Sequence, residues 1–157
     1  MLAKPLPNEK FKFALEDLGG KHRINLQGTI DEDTKFDDMK NITTPIIFNF
    51  KGVGTINSCG VRSWVNFIKE LSNLEVTYED CPPVIVRQLN MIPSFRGHAQ
   101  VVSVYIPYIC ASCDTEKMVL VPHDQWGSVN PVIMCDNCAK EEMEFDGDPE
   151  QYFAFSK

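Results

Sequence analysis

Four cysteines carry the clearest chemistry in this chain. Cys110 and Cys113 form one C-x-x-C pair and Cys135 and Cys138 a second, with 21 residues between the pairs. A C-x-x-C turn aims two sulfurs at one point. A second such turn closes a four-thiolate tetrahedron, the cage that zinc prefers. Four protein ligands leave no open position for water or substrate, so the expected cofactor is a structural zinc ion. His123 in Val121-Pro122-His123-Asp124 could replace one thiolate; it is read as a loop residue because four cysteines suffice. The rival reading is a set of disulfides or buried free thiols. Against it, the chain starts without a charged-then-apolar leader, and the other two cysteines, Cys59 and Cys81, are isolated. A reducing, cytoplasmic setting is expected.

A second group of reactive side chains lies in Ile56-Asn57-Ser58-Cys59-Gly60. Apolar residues recur after it at helical spacing: Val61, Trp64, Val65, Ile68 and Leu71. Asn57 or Ser58 can cap that helix. Cys59 then sits where a helix N-terminus favours a thiolate. With His22 or His98 as base it could serve a cysteine-dependent enzyme. No Cys/His signature surrounds these residues, and neither a glycine-rich phosphate loop nor a paired-carboxylate arrangement is present. The chain is therefore expected not to be an enzyme.

The elements that position these groups follow from the pattern. Phe11, Phe13 and Leu15 alternate with polar neighbours, Leu18-Gly19-Gly20-Lys21 signals a turn, and Ile24, Leu26 and Ile30 resume the alternation, which predicts a hairpin. Asp31-Glu32-Asp33 can cap a short helix carrying Phe36 and Met39. Pro45 opens Ile46-Ile47-Phe48-Asn49-Phe50, nearly all apolar, which predicts a central strand covered on both faces. Lys51-Gly52-Val53-Gly54 then leads into the helix. Glu75 to Tyr78 form another strand. Asp80 caps a helix with Pro82 and Pro83 in its first turn and Ile85, Leu89 and Ile92 inward. Gln100 to Ile106 make the last strand, running straight into the cysteine module. The order is strand, strand, helix, strand, helix, strand, helix, strand. It predicts an α/β domain with a mixed β-sheet and helices on one side. Residues 1–106 form this domain, and residues 107–157 the metal module and an acidic tail.

Two resemblances accompany these readings. Residues 105 to 145 resemble a zinc ribbon, a small two-hairpin β module. Strand-like residues flank both turns: Val104, Tyr105, Ile106 and Tyr108, then Met118 to Val121, and Val132 to Met134. Many ribbons place glycine after the second cysteine of each pair; here those positions hold Asp114 and Ala139. A module this small depends on its metal for folding, so a chelator is expected to melt this third of the chain. The stretch Pro45 to Val61 resembles the core of STAS domains, found in bacterial anti-sigma factor antagonists and in sulfate transporter tails. Their pattern is an apolar strand, a short loop, and Asp-Ser-x-Gly opening an amphipathic helix, and the order of elements agrees over about residues 9 to 106. The resemblance implies a regulatory module that binds a protein partner, a kinase-like anti-sigma factor or sensor. It implies phosphorylation at Ser58, with Asn57 in the aspartate's place and Arg62 one turn on, able to contact a phosphate or an acidic partner. Asparagine caps a helix as well as aspartate but removes its charge.

Charge narrows the partners further. The net charge is −7, and all of it falls in residues 105–157, which hold 3 basic and 10 acidic side chains. Phosphate binding needs clustered Lys and Arg, so nucleic acid is not an expected partner. The acidic tail is a solubilising face or a docking surface for a basic partner, which would make the chain a constitutive adaptor. No apolar run reaches membrane-spanning length, so no membrane partner is expected. Phe145, Tyr152, Phe153 and Phe155 near the end can fold back on the sheet or face a second subunit.

Overall fold

The computed structural model describes residues 9–138 and 142–156. The chain is a mixed α/β protein built on two sheets. The first sheet runs in sequence order. Strands β1 (Lys12–Asp17) and β2 (His22–Ile30) form the antiparallel hairpin, and β3 (Ile46–Ile56), β4 (Val76–Glu79) and β5 (Gln100–Val101) add in parallel. Helix α1 (Ser58–Glu70) joins β3 to β4. Helices α2 (Pro83–Met91) and α3 (Pro93–Arg96) join β4 to β5. Between β2 and β3 the expected helix is a single 3₁₀ turn, Asp37–Met39. Asp31 caps no helix there; its carboxylate accepts from the Asp33 N–H in a local turn.

Strand side chains alternate between two faces, and only one face of this sheet is apolar. Ile24, Leu26 and Ile30 of β2, Ile46, Phe48 and Phe50 of β3, and Val76 and Tyr78 of β4 are buried. Trp64 and Phe67 of α1 and Phe95 of α3 meet Phe48 and Phe50 edge-on or tilted, with centroids 4.9–6.3 Å apart. Trp64 Nε1 donates to the Tyr78 hydroxyl (2.9 Å), which donates to the Phe95 carbonyl (2.7 Å). That chain matters because a buried polar group without a partner costs about 1–3 kcal/mol.

The opposite face is polar, which corrects the expectation that β3 is covered on both sides. Asn49 of β3 donates to Glu79 and Asp80 (2.7 and 2.9 Å), and Arg23 donates to the same Glu79 oxygen (2.8 Å). Strand β3 also runs on to Ile56, so Lys51 to Gly54 belong to it and not to a loop. A register shift opposite Gln27 moves the buried position from Phe50 to Val53.

Two further expectations change at the junction of the sheets. The strand expected over 100–106 breaks at Val102 into β5 and β6 (Ser103–Cys110), and β6 belongs to the second sheet. Asp80 caps no helix; Pro82 precedes α2 instead. Asp80 adopts φ 53, its N–H donates to Ser103 Oγ, and the Ser103 hydroxyl donates back to its carboxylate (2.8 Å each). This turn redirects the chain, and Cys81 bridges Val104 beyond it.

The second sheet has the order β7-β6-β9-β8, all antiparallel, with β7 at Glu116–Pro122, β8 at Val132–Met134 and β9 at Glu142–Phe145. Helix α4 (Pro149–Tyr152) and a last 3₁₀ turn fold back across it. Phe153 is buried and stacks on Trp126 (5.5 Å), and the Tyr152 hydroxyl donates to the Tyr105 carbonyl (2.6 Å).

Candidate metal centre and helix corner

The two C-x-x-C turns are the tips of two hairpins. Cys110 ends β6 and Cys113 lies in the turn to β7; Cys135 and Cys138 lie between β8 and β9. Pairing of β6 with β9 brings the tips together, and all four Sγ atoms lie within 4.8 Å of one another. Cys110 Sγ is 3.8 Å from Cys138 Sγ, and Cys113 Sγ is 3.6 Å from Cys135 Sγ. A disulfide would put sulfurs about 2.05 Å apart. A tetrahedron with metal–sulfur bonds of about 2.3 Å has edges of about 3.8 Å. The observed spacing fits the second geometry. The donor set is four thiols converging on one point, suited to a single tetrahedral metal ion such as zinc.

The surroundings prepare these sulfurs. Asn137 Nδ2 donates to the Thr115 hydroxyl oxygen (3.0 Å), leaving that hydroxyl proton to point at Cys113 Sγ (3.0 Å). The Thr115 hydroxyl and N–H, helped by Asn137, hold the Cys113 thiol down at about 6. Cys110 moves the other way, to about 11: backbone N–H groups of Cys113 and Ser112 pull it down, but burial and the neighbouring thiols outweigh them. Lys117 pairs with Asp136 across the two hairpin tips. Asp114, in the position many ribbons give to glycine, takes φ 58 and donates its N–H to the Cys110 carbonyl (2.8 Å). The equivalent Ala139 lies outside the described residues. His123 is not in the cluster; it opens a 3₁₀ turn, His123–Ser128, and packs edge-on against Trp126, so it is no loop residue.

At the other candidate site, Asn57 is the N-cap of α1. Its Oδ1 accepts the Gly60 N–H (2.8 Å), while its Nδ2 donates to Glu32 Oε2 (2.9 Å). Glu32 is the residue that sequence reasoning missed. It restores a carboxylate beside position 57, and the Asn57 amide holds its pKa below the usual range. Ser58 and Cys59 occupy the first two helical positions and are exposed; Arg62 is exposed one turn on. Gly60 is buried because α1 starts hard against β2. A Cβ there would stand 2.2 Å from the Ile30 carbonyl oxygen.

The histidines do not reach this corner. In the β2–β3 register His22 pairs with Ile46 and Ile30 with Ile56, so His22 and Cys59 lie at opposite ends of a nine-residue strand, about 25 Å apart. His22 Nδ1 contacts the Thr44 hydroxyl (2.7 Å) and His98 Nε2 the Leu74 carbonyl (2.9 Å), both at the far end. The proposed bases and Cys59 are not brought together. Cys81 is fully buried, and burial raises its thiol well above the ordinary value.

Compared with known proteins, the chain matches no family model and no curated protein. Fold and site therefore define it in structural terms: a mixed α/β protein with a four-cysteine cluster able to hold a metal ion. Among the described residues no helix is long and apolar enough to cross a membrane.

Proposed function

We propose that the chain is a non-catalytic regulatory module that binds a protein partner through the corner around Asn57, Ser58 and Arg62, with the four cysteines holding a structural zinc ion. The observation that carries this reading is the placement of Ser58. It is exposed at the first position of α1, directly after β3 and its Asn57 cap, with Arg62 one turn along the same helix face. That arrangement agrees with the STAS resemblance in position and chemistry. Free N–H groups and the helix dipole accept a phosphate on Ser58. In an interface the same phosphate adds charge and desolvation cost, so one residue can switch a complex. Glu32 beside Asn57 supplies the negative charge that the asparagine lacks. The partner implied is a kinase-like anti-sigma factor or sensor.

The test is affinity purification of the tagged chain from its own cells with phosphosite mapping. The expected result is a co-purifying kinase and a phosphate on Ser58. Ser58→Asp should then weaken the complex and Ser58→Ala should leave it intact. A complex indifferent to Ser58→Asp, on a chain carrying no phosphate, would overturn the switch.

A constitutive adaptor is the second reading. The whole net charge of −7 lies in residues 105–157, and four zinc-bound thiolates make that part more negative. A partner held there, with Ser58 unmodified, is the outcome that favours it.

A further inference from the structure

We propose that the groove between α2 and the second sheet binds a segment of a protein partner carrying lysine or arginine beside apolar side chains. The proposal rests on reading the chain as an interaction module and does not require Ser58 to be modified. The groove has a volume of about 480 Å³ and is open to solvent. Its surface joins Pro83 and Met91 of α2 to Pro107 and Met118 of the β6–β7 hairpin. Met91 is 66% exposed, the most exposed large apolar side chain among the described residues. Burying such a side chain favours a complex, while leaving it in water contributes nothing to the fold.

The rim decides what can cover this surface. Asp146 and Asp148 stand on the turn after β9, and Glu116 opens β7. The turn is held in place: the Asp146 N–H donates to the Pro107 carbonyl (2.8 Å), and Asp148 Oδ1 accepts the Glu150 N–H (3.0 Å). Among the described residues Arg87 is the single cation on the groove wall. Carboxylates on an acidic sheet repel phosphate, which excludes nucleic acid and anionic lipid. A second copy brings the same −7, so like charge opposes self-association through this face. A cationic, partly apolar peptide is complementary on both counts.

The test uses the zinc-loaded full chain and a short fluorescein-labelled peptide of alternating leucine and lysine, with a leucine–glutamate peptide as control. NMR shift mapping should place the lysine peptide on α2, Met118 and residues 146–148, with affinity falling as salt is raised. Asp146→Lys and Met91→Ala are surface changes that leave the fold intact, and each should weaken binding at least about 5-fold. Ser58→Asp should leave the peptide affinity unchanged, so the groove and the switch corner stand or fall separately. Equal binding of the glutamate peptide, shifts confined to the Ser58 corner, or a dimer by light scattering whose interface maps to the groove would overturn the proposal.

Discussion

Single side chains set the conditions at both sites. Asn57 shows how one atom changes the balance: its carbonyl oxygen caps α1 while its amide nitrogen serves Glu32. Asn57→Ala removes both bonds and should cost about 1 kcal/mol, read by urea denaturation. Asn57→Asp keeps the cap but turns a second carboxylate toward Glu32. In the wild type the lowered Glu32 pKa means stability that is present above the unfolded carboxylate range and lost on acidification. In the aspartate variant two facing carboxylates raise each other, so this contribution should reverse and stability should fall as pH rises through 4–5. Unfolding curves on either side of that range decide the matter. At the cysteine cluster Asp114 holds φ 58, a region where a side chain is strained. Asp114→Gly should raise stability by about 0.5–1 kcal/mol with the cysteine set unchanged. Cys113 is already a thiolate above about pH 6. Zinc binding at about pH 7.5 should therefore release fewer than four protons, and the number should rise as pH falls below 6, measured by calorimetry in buffers of different ionisation enthalpy.

Elements decide whether those side chains meet. Gly60 lets the first turn of α1 press on the end of β2; Gly60→Ala would place a methyl 2.2 Å from the Ile30 oxygen. Backbone must move to admit it, so a loss of at least about 2 kcal/mol is expected, with the Glu32–Asn57 contact disturbed, seen as a lower denaturation midpoint. The sequence placed these elements well wherever the signal was local. Alternation marked β1 and β2, the 3.6 period marked α1, and the two C-x-x-C turns marked the hairpin tips. What it missed depends on distant partners. Lys51 to Gly54 look like a loop because of two glycines, yet the register shift against β2 keeps them in the strand. Asn49 interrupts an apolar run because its face carries Arg23 and Glu79, which arrive from two other strands. The break at Val102 has no turn residue to announce it; the bend comes from Asp80 and Ser103, 23 positions apart. Glu32 was invisible beside Asn57 for the same reason, being 25 positions away.

At the scale of the molecule the two sheets share one core, and this changes what metal removal should do. Cys110, Cys135, Met143, Phe145 and Phe153 belong to the same buried cluster as Ile85, Val86 and Phe95. The C-terminal segment ties the halves together: Asn90 Nδ2 donates to the Tyr152 carbonyl (3.0 Å), the Phe155 N–H donates to Asn90 Oδ1 (2.8 Å), and Arg96 donates to the Phe155 carbonyl (3.3 Å). A second sheet melting alone would leave α2 and α3 with an uncovered apolar flank. Chelation, or Cys135→Ser, should therefore lower the stability of the whole chain and not of its last third only. Phe153→Ala probes the same coupling without touching the four cysteines and should cost about 3 kcal/mol. Hydrogen exchange can separate the alternatives. With one core, amides of α2 and of the β6–β7 hairpin lose protection together when zinc is removed. If β2, β3 and α1 keep full protection and thermal unfolding splits into two transitions, the sheets are independent, and the contacts of Asn90 and Arg96 with the tail carry little coupling.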